Sequence, residues 1–190
     1  MFTNMIRVGA LTLTGVLTVF VPGAVMAKVH TGKVYTVQTE ASRLMKDVEE
    51  RAYEIHDHAL TLQAADTVSL DRSFFMDQAT ALRDDINDAG KVIAHLRALN
   101  AFETPADKTT VDRAEPMLAK VAASTTSLID YINAHGNNMT SQQYTNLASS
   151  LASQTGSLWN LLHDSVRLSS LKVREKHLKA DLSKTAHAKS

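Results

Sequence analysis

Eight histidines and twenty carboxylates are the raw material for chemistry in this chain, and cysteine is absent. A dinuclear carboxylate site in a helical bundle needs Glu-x-x-His, because residues three apart share one helix face. Glu40, Glu49, Glu50, Glu54, Glu103, Glu115 and Glu175 have no histidine at that spacing, and no aspartate has one either. No two histidines stand four apart, so a helical zinc-protease pair is missing. There is no glycine-rich phosphate loop and no Gly-x-Ser-x-Gly elbow. Without cysteine, thiolate metal sites, covalent haem through Cys-x-x-Cys-His and lipidation at a cysteine are excluded. No nucleophile stands beside a base in a recognisable motif. The expectation is a protein without an enzymatic site and without a cofactor.

The histidines place themselves by register. His56 and His58 lie two apart, about 200° around a helix, so they do not share one metal. His58 falls on an apolar seam, where a boundary role with a hydrogen-bond partner outweighs metal binding. His95 and His163 fall one position off their seams, at similar heights near one end, and are expected to face water. His58, His95 and His163 are the weak metal candidates. Met45 and His163 are the weak haem candidates, because the arrangement resembles the architecture of bundle cytochromes, with a Met from the first helix and a His from the last. Core packing is the ordinary use of such a methionine.

The elements that must position these residues are helices. After residue 27 glycine occurs only at 32, 90, 136 and 156, and proline only at 105 and 116. Four segments carry apolar residues at alternating three- and four-residue steps. The first is Val37, Ala41, Leu44, Val48, Arg51, Ile55, His58 and Leu62. The second is Phe75, Ala79, Leu82, Ile86, Ala89, Ile93 and Leu96. The third is Val111, Ala114, Leu118, Val121, Thr125, Leu128 and Ile132. The fourth is Tyr144, Leu147, Leu151, Thr155, Leu158, Leu162 and Val166. Such a repeat packs helices nearly parallel, coiled-coil fashion, at about 20°. Thr104-Pro105 opens the third helix. Thr140-Ser141-Gln142-Gln143 reads as a capping box that opens the fourth, with Met139 and Tyr144 as its staple. Gly136 suits a left-handed helix stop. The links are short, so each helix folds back beside its predecessor. The predicted fold is an all-α, up-down-up-down four-helix bundle over residues 36–182. Its third helix is kinked at Pro116, and its fourth is extended and basic. Residues 28–35 are expected to be an irregular arm and 183–190 a frayed tail.

The first 27 residues read as a secretory leader: Arg7, an apolar run from Val8 to Val21, then Val25-Met26-Ala27 as the cleavage site. The expected location is the periplasm or the exterior, with no membrane span in the mature chain; retention as an anchor is the alternative. Charge is uneven. Residues 28–166 hold 12 basic and 18 acidic groups, whereas 167–190 hold 7 basic and 2 acidic. This basic tail suits weak contact with an anionic surface or the acidic body of another copy, although favourable charge at a helix C-terminus explains it too. Nothing suggests nucleic acid as a partner.

Two features stand out beyond the seams. No charged residue lies between Tyr131 and His163. Ser149, Ser150, Ser153, Gln154 and Ser157 form an uncharged outer face there, suited to a second copy or another protein. Arg51, Asp85, Thr125 and Thr155 fall at similar heights as a polar level in the core, with an outward-reaching Arg51 and a packed Ala52 as the alternative. Residues 139–143 also resemble one degenerate copy of the Leu-Thr-x-x-Gln motif of small periplasmic helical chaperones. The expected function is a non-catalytic binding or interaction protein that associates with itself or a partner. The alternatives are a carrier of a small ligand, haem or metal, and a chaperone-like protein.

Overall fold

The structure is a computed structural model that describes residues 30–65, 70–99, 102, 105–136 and 141–187. Within these ranges side chains are described from 40 to 183, residues 105 and 180 apart. The leader segment 1–27, Val37, Thr104, Met139 and Thr140 lie outside what is described at side-chain level. Four helices follow in order: α1 (His30–Ala64), α2 (Arg72–Leu99), α3 (Pro105–His135) and α4 (Gln142–His187).

Each helix packs on two neighbours, α1 on α2 and α4, and α3 on the same two, so the cross-section is a square. Every neighbouring pair runs antiparallel. Arg51 and His58 of α1 meet Asp85 and Gln78 of α2, in reversed order. Glu49, His56 and Leu62 of α1 meet His163, Thr155 and Tyr144 of α4. Asp107 and Ser124 of α3 meet Ser169 and Gln154 of α4. The all-α four-helix bundle expected from the seams is what the chain forms.

The core follows the apolar register. On α2 the buried residues are Phe75, Ala79, Leu82, Ile86, Ala89, Ile93 and Leu96. On α3 and α4 the buried positions include Val111, Ala114, Leu118, Val121, Leu128, Ile132, Leu151, Leu158 and Leu162. Removing one such aliphatic side chain from water stabilises by about 1.5–3 kcal/mol. On α1 two seam positions differ. Ala52 and Ala59 are buried, at 1% and 0% exposure, where Arg51 and His58 were expected. A slight rotation of the helix, which keeps Val48, Ile55 and Leu62 buried, seats a methyl group in the core and leaves the guanidinium and imidazole at the α1–α2 rim. This avoids desolvating a charge.

The ends also differ in places. Residues 30–35, expected irregular, are helical, and α4 continues to His187, past the expected end at 182. Neither stretch contains a proline. α3 passes through Pro116 without a break; the proline lacks the N–H that would bond the Asp112 carbonyl. Gly136, at φ 57°, closes α3 and returns its amide to Ile132 O at 3.1 Å. The cap of α4 is Ser141, one residue later than the sequence pattern suggests, with its Oγ accepting from the Tyr144 amide at 3.2 Å. The cap of α2 is Asp71. Hydrogen bonds from the Ser73 hydroxyl and the Phe74 amide hold its carboxyl below the usual range.

One end of the bundle is sealed by aromatic rings. Phe75 meets Tyr144 edge-on at 5.5 Å, and Tyr131 stacks on His135 at 4.0 Å. The buried Tyr144 hydroxyl donates to Leu62 O at 2.7 Å. That carbonyl lies in the last turn of α1 and has no helical donor. Burial pushes the Tyr144 phenol far above its ordinary range, so it stays a donor. Replacing Tyr144 by Phe strands this carbonyl and is expected to cost about 1–3 kcal/mol in urea unfolding followed by far-UV circular dichroism. Ser141→Ala is expected to cost about 1 kcal/mol in the same assay.

Candidate functional site

The opposite end is built differently. There α4 continues to His187 past the ends of α2 and α3, exposed at every residue described from 171 on. A cavity of about 340 Å³ lies at this end. Ala41, Met45, Phe102, Val166 and Val173 give it apolar walls, and Ser42, Ser169 and Ser170 add hydroxyls. Lys46 of α1 and Arg174 of α4 are exposed at its rim. Several other cations near this end are paired: Arg43 with Asp47, Arg97 with Asp112 and Glu115, and Lys108 with Asp112, whereas Arg167 and Lys172 make no ion pair among the described residues. Lys46 and Arg174 make no ion pair among the described residues. Asp107, 4% exposed in the first turn of α3, lines the cavity and accepts from Ser169 Oγ at 2.8 Å. A buried carboxylate is tolerated at this point because the helix N-terminus presents free amides and positive dipole. One turn on, the buried Thr110 and Ser165 hydroxyls meet at 3.0 Å. The volume suits a small molecule, at the lower end of the range of about 300–1,000 Å³ for such sites.

A second cluster lies on the α1–α2 rim. Arg51 reaches Glu54 at 2.7 Å and Asp85 at 3.4 Å. His58 turns Nδ1 to Gln78 Oε1 at 2.8 Å and Nε2 to Asp85 at 3.4 Å. Partial burial, with Glu54 nearby, pushes the Asp85 carboxyl above its ordinary value, against the opposing pull of His58 and Arg51. His58 therefore sits at the boundary with two partners.

A third cluster lies on the α1–α4 rim. His56 stacks on Trp159 at 5.9 Å, and Tyr53 meets the same indole edge-on at 6.0 Å. His163 lies 5.4 Å from Trp159 and directs Nδ1 to Glu49 Oε1 at 2.7 Å. The Thr155 hydroxyl donates to Ala152 O, so it accepts from His56 Nδ1 at 3.0 Å. A Cβ at Gly156 would lie 3.1 Å from His56 Cε1, so the missing side chain makes room for the imidazole.

These placements separate several residues that the sequence grouped. Thr125 and Thr155 are buried, at 1% and 0%, and bond carbonyls of their own helices. Arg51, with its side chain 41% exposed, and Asp85 are beside each other but at the rim, not in a core layer with the threonines. Met45 lines the cavity; His163 is not part of its lining, so the two do not converge there as haem ligands. His95 is half exposed, 3.6 Å from Glu40. His58, His95 and His163 each face different carboxylates, and no group of three metal-ligating side chains occurs among the described residues. On the uncharged face of α4, Ser150, Ser153 and Ser157 are exposed. Ser149 and Gln154 are partly buried and hydrogen-bonded by Gln63 and Ser124, so that face is narrower than its composition implies. The cavity was not legible, because its walls come from segments far apart in sequence. The aromatic rim left a faint trace, in Tyr53 and His56 three apart and Trp159 and His163 four apart.

Asp85 yields a pH prediction. Its folded-state pKa lies above the unfolded value, so its contribution to stability is complete below the ordinary carboxylate range and is lost as pH rises through the raised value. Asp85→Asn is expected to raise the urea midpoint at neutral pH, with the gain fading below about pH 4. An equal gain at both pH values would contradict this origin. No protein-family model matches the chain, and no curated protein or solved structure shows significant similarity to it.

Proposed function

We propose that this is an exported, non-catalytic binding protein of the periplasm or cell exterior, and that the open-end cavity takes a small apolar anion. Export rests on the leader-like residues 1–27. The non-catalytic reading rests on the sequence, where no nucleophile stands beside a base in a recognisable motif. The described helices include none long and apolar enough to cross a membrane.

The observation that carries the ligand reading is the pairing of an apolar lining with two cations, Lys46 and Arg174, that have no carboxylate partner among the described residues. An apolar body gains by leaving water for the walls formed by Met45, Phe102 and Val166. A carboxylate or similar head group at the rim pairs with both cations, with the bidentate guanidinium setting its orientation. A cationic ligand is disfavoured at the rim.

Calorimetric titration with octanoate, and with 1-octanol as the uncharged counterpart, tests this. Octanoate is expected to bind more tightly than octanol. Lys46→Ala with Arg174→Ala is expected to cut octanoate affinity about tenfold or more, roughly 1.4 kcal/mol, while changing octanol little. Val166→Phe, which fills the cavity, is expected to weaken both. Octanoate binding that survives both variants would place the ligand elsewhere and sink the proposal.

A further inference from the structure

Large apolar side chains that the described surface exposes fall in two places. One is a stripe on α1, with Tyr53 at 53% and Leu60 at 42% exposure. Glu50 and Asp57 interleave with them, giving 50, 53, 57 and 60, a spacing that keeps all four on one outward face. The other is the part of α4 beyond the bundle, where Leu168, Leu171, Leu178 and Leu182 are 50–69% exposed and share one face. On a helical wheel, Glu175, paired with Lys179, lies within that leucine stripe, Arg167 and Arg174 border it on one side, and Lys172, Lys176 and Lys179 border it on the other. Glu50 and Asp57 make no ion pair among the described residues, and neither do Lys172 and Lys176. One stripe is apolar with acids; the other is apolar with an excess of bases around one acid, Glu175, which Lys179 neutralises.

The two stripes cannot meet within one chain. α4 runs antiparallel to α1, with Glu49 opposite His163 and His56 opposite Thr155. Beyond residue 166, α4 therefore travels away from residues 50–60. The stripe centres lie roughly 25–30 Å apart along the bundle axis, at 1.5 Å per residue. A second chain laid antiparallel over the first removes this separation. The extension of each copy then covers the α1 stripe of the other.

We propose that the mature protein forms a reciprocal two-fold dimer in which the leucine stripe of each α4 extension packs on Glu50, Tyr53, Asp57 and Leu60 of the partner copy. Both pairings bury leucine against Tyr53 and Leu60 and set Lys172 and Lys176 against Glu50 and Asp57. The interface is self-complementary, so association stops at two copies. Pairing two extensions with each other would instead set like charges together. An anionic membrane would attract the extension but leave the α1 stripe uncovered.

The test is mass by light scattering on the full mature chain, with far-UV circular dichroism on each variant. The wild type is expected at twice the monomer mass at micromolar concentration, and at lower apparent mass in high salt. Glu50→Lys with Asp57→Lys is expected to weaken dimerisation about tenfold or more, and so is Lys172→Glu with Lys176→Glu. Combining all four restores it, which a folding defect would not do. Ser149→Lys with Ser153→Lys leaves the mass unchanged. A monomeric wild type overturns the proposal, whether or not it binds anionic vesicles. So does a dimer that resists the α1 and α4 charge reversals, or one that the Ser149 and Ser153 variant abolishes.

Discussion

The structure depends on the burial of one aliphatic seam per helix against two neighbours. There is no disulfide to constrain the unfolded chain, because there is no cysteine. The free energy must come from close packing of Val48, Ile55, Leu62, Leu82, Leu128, Leu151 and Leu158, each at most 1% exposed. Every other feature is arranged so as not to disturb that contact. The two threonines that enter the seam return their hydroxyls to carbonyls of their own helices, and no described buried side-chain polar atom lacks a partner. Burying a hydroxyl is tolerable on those terms and costly otherwise.

Unequal helix lengths divide the molecule into a closed end and an open one. At the closed end four termini meet over Phe75, Tyr131 and Tyr144, and Tyr144 caps the last turn of α1 through Leu62. At the open end α2 ends and α3 begins, and α4 continues past them, exposed at every residue described from 171 on. The cavity follows from that mismatch. Its polar content follows as well. Asp107 is held by the start of α3 and by Ser169, while Lys46 and Arg174 stand at the rim. The exposed leucines of α4 begin where the bundle ceases to cover them. Ligand binding and self-association would thus draw on one architectural fact, the overrun of α4, through different faces of the same helix.

The rim clusters show why polar residues near a seam are hard to place from a pattern. Arg51 and His58 occur at heptad positions, yet Ala52 and Ala59 occupy the core beside them. Both assignments satisfy the three-four spacing. The choice between them turns on the cost of desolvating a guanidinium or an imidazole against the small gain from a methyl group, which favours alanine inside. At Thr125 and Thr155 the spacing and the energetics agree, and the threonines are buried. Ser141 makes the same point at a helix end. Thr140 and Ser141 both suit a cap, and the backbone selects Ser141.

Sequence alone determined the number of helices, the strict register of α2, the stop at Gly136 and the absence of thiol chemistry. These are local properties, fixed by side-chain period, backbone permissiveness and composition. It also disclosed the uneven charge, because charge adds along a chain without regard to fold. Tertiary structure alone decided that Met45, Phe102, Asp107 and Arg174 share a cavity, that Trp159 lies between two imidazoles, and that the acidic and basic stripes cannot meet within one molecule. Those facts depend on the relative height and rotation of helices separated by dozens of residues. A rotation of a fraction of the 100° between successive residues leaves Val48, Ile55 and Leu62 buried and the apolar spacing intact, yet exchanges Arg51 for Ala52 and His58 for Ala59 in the core.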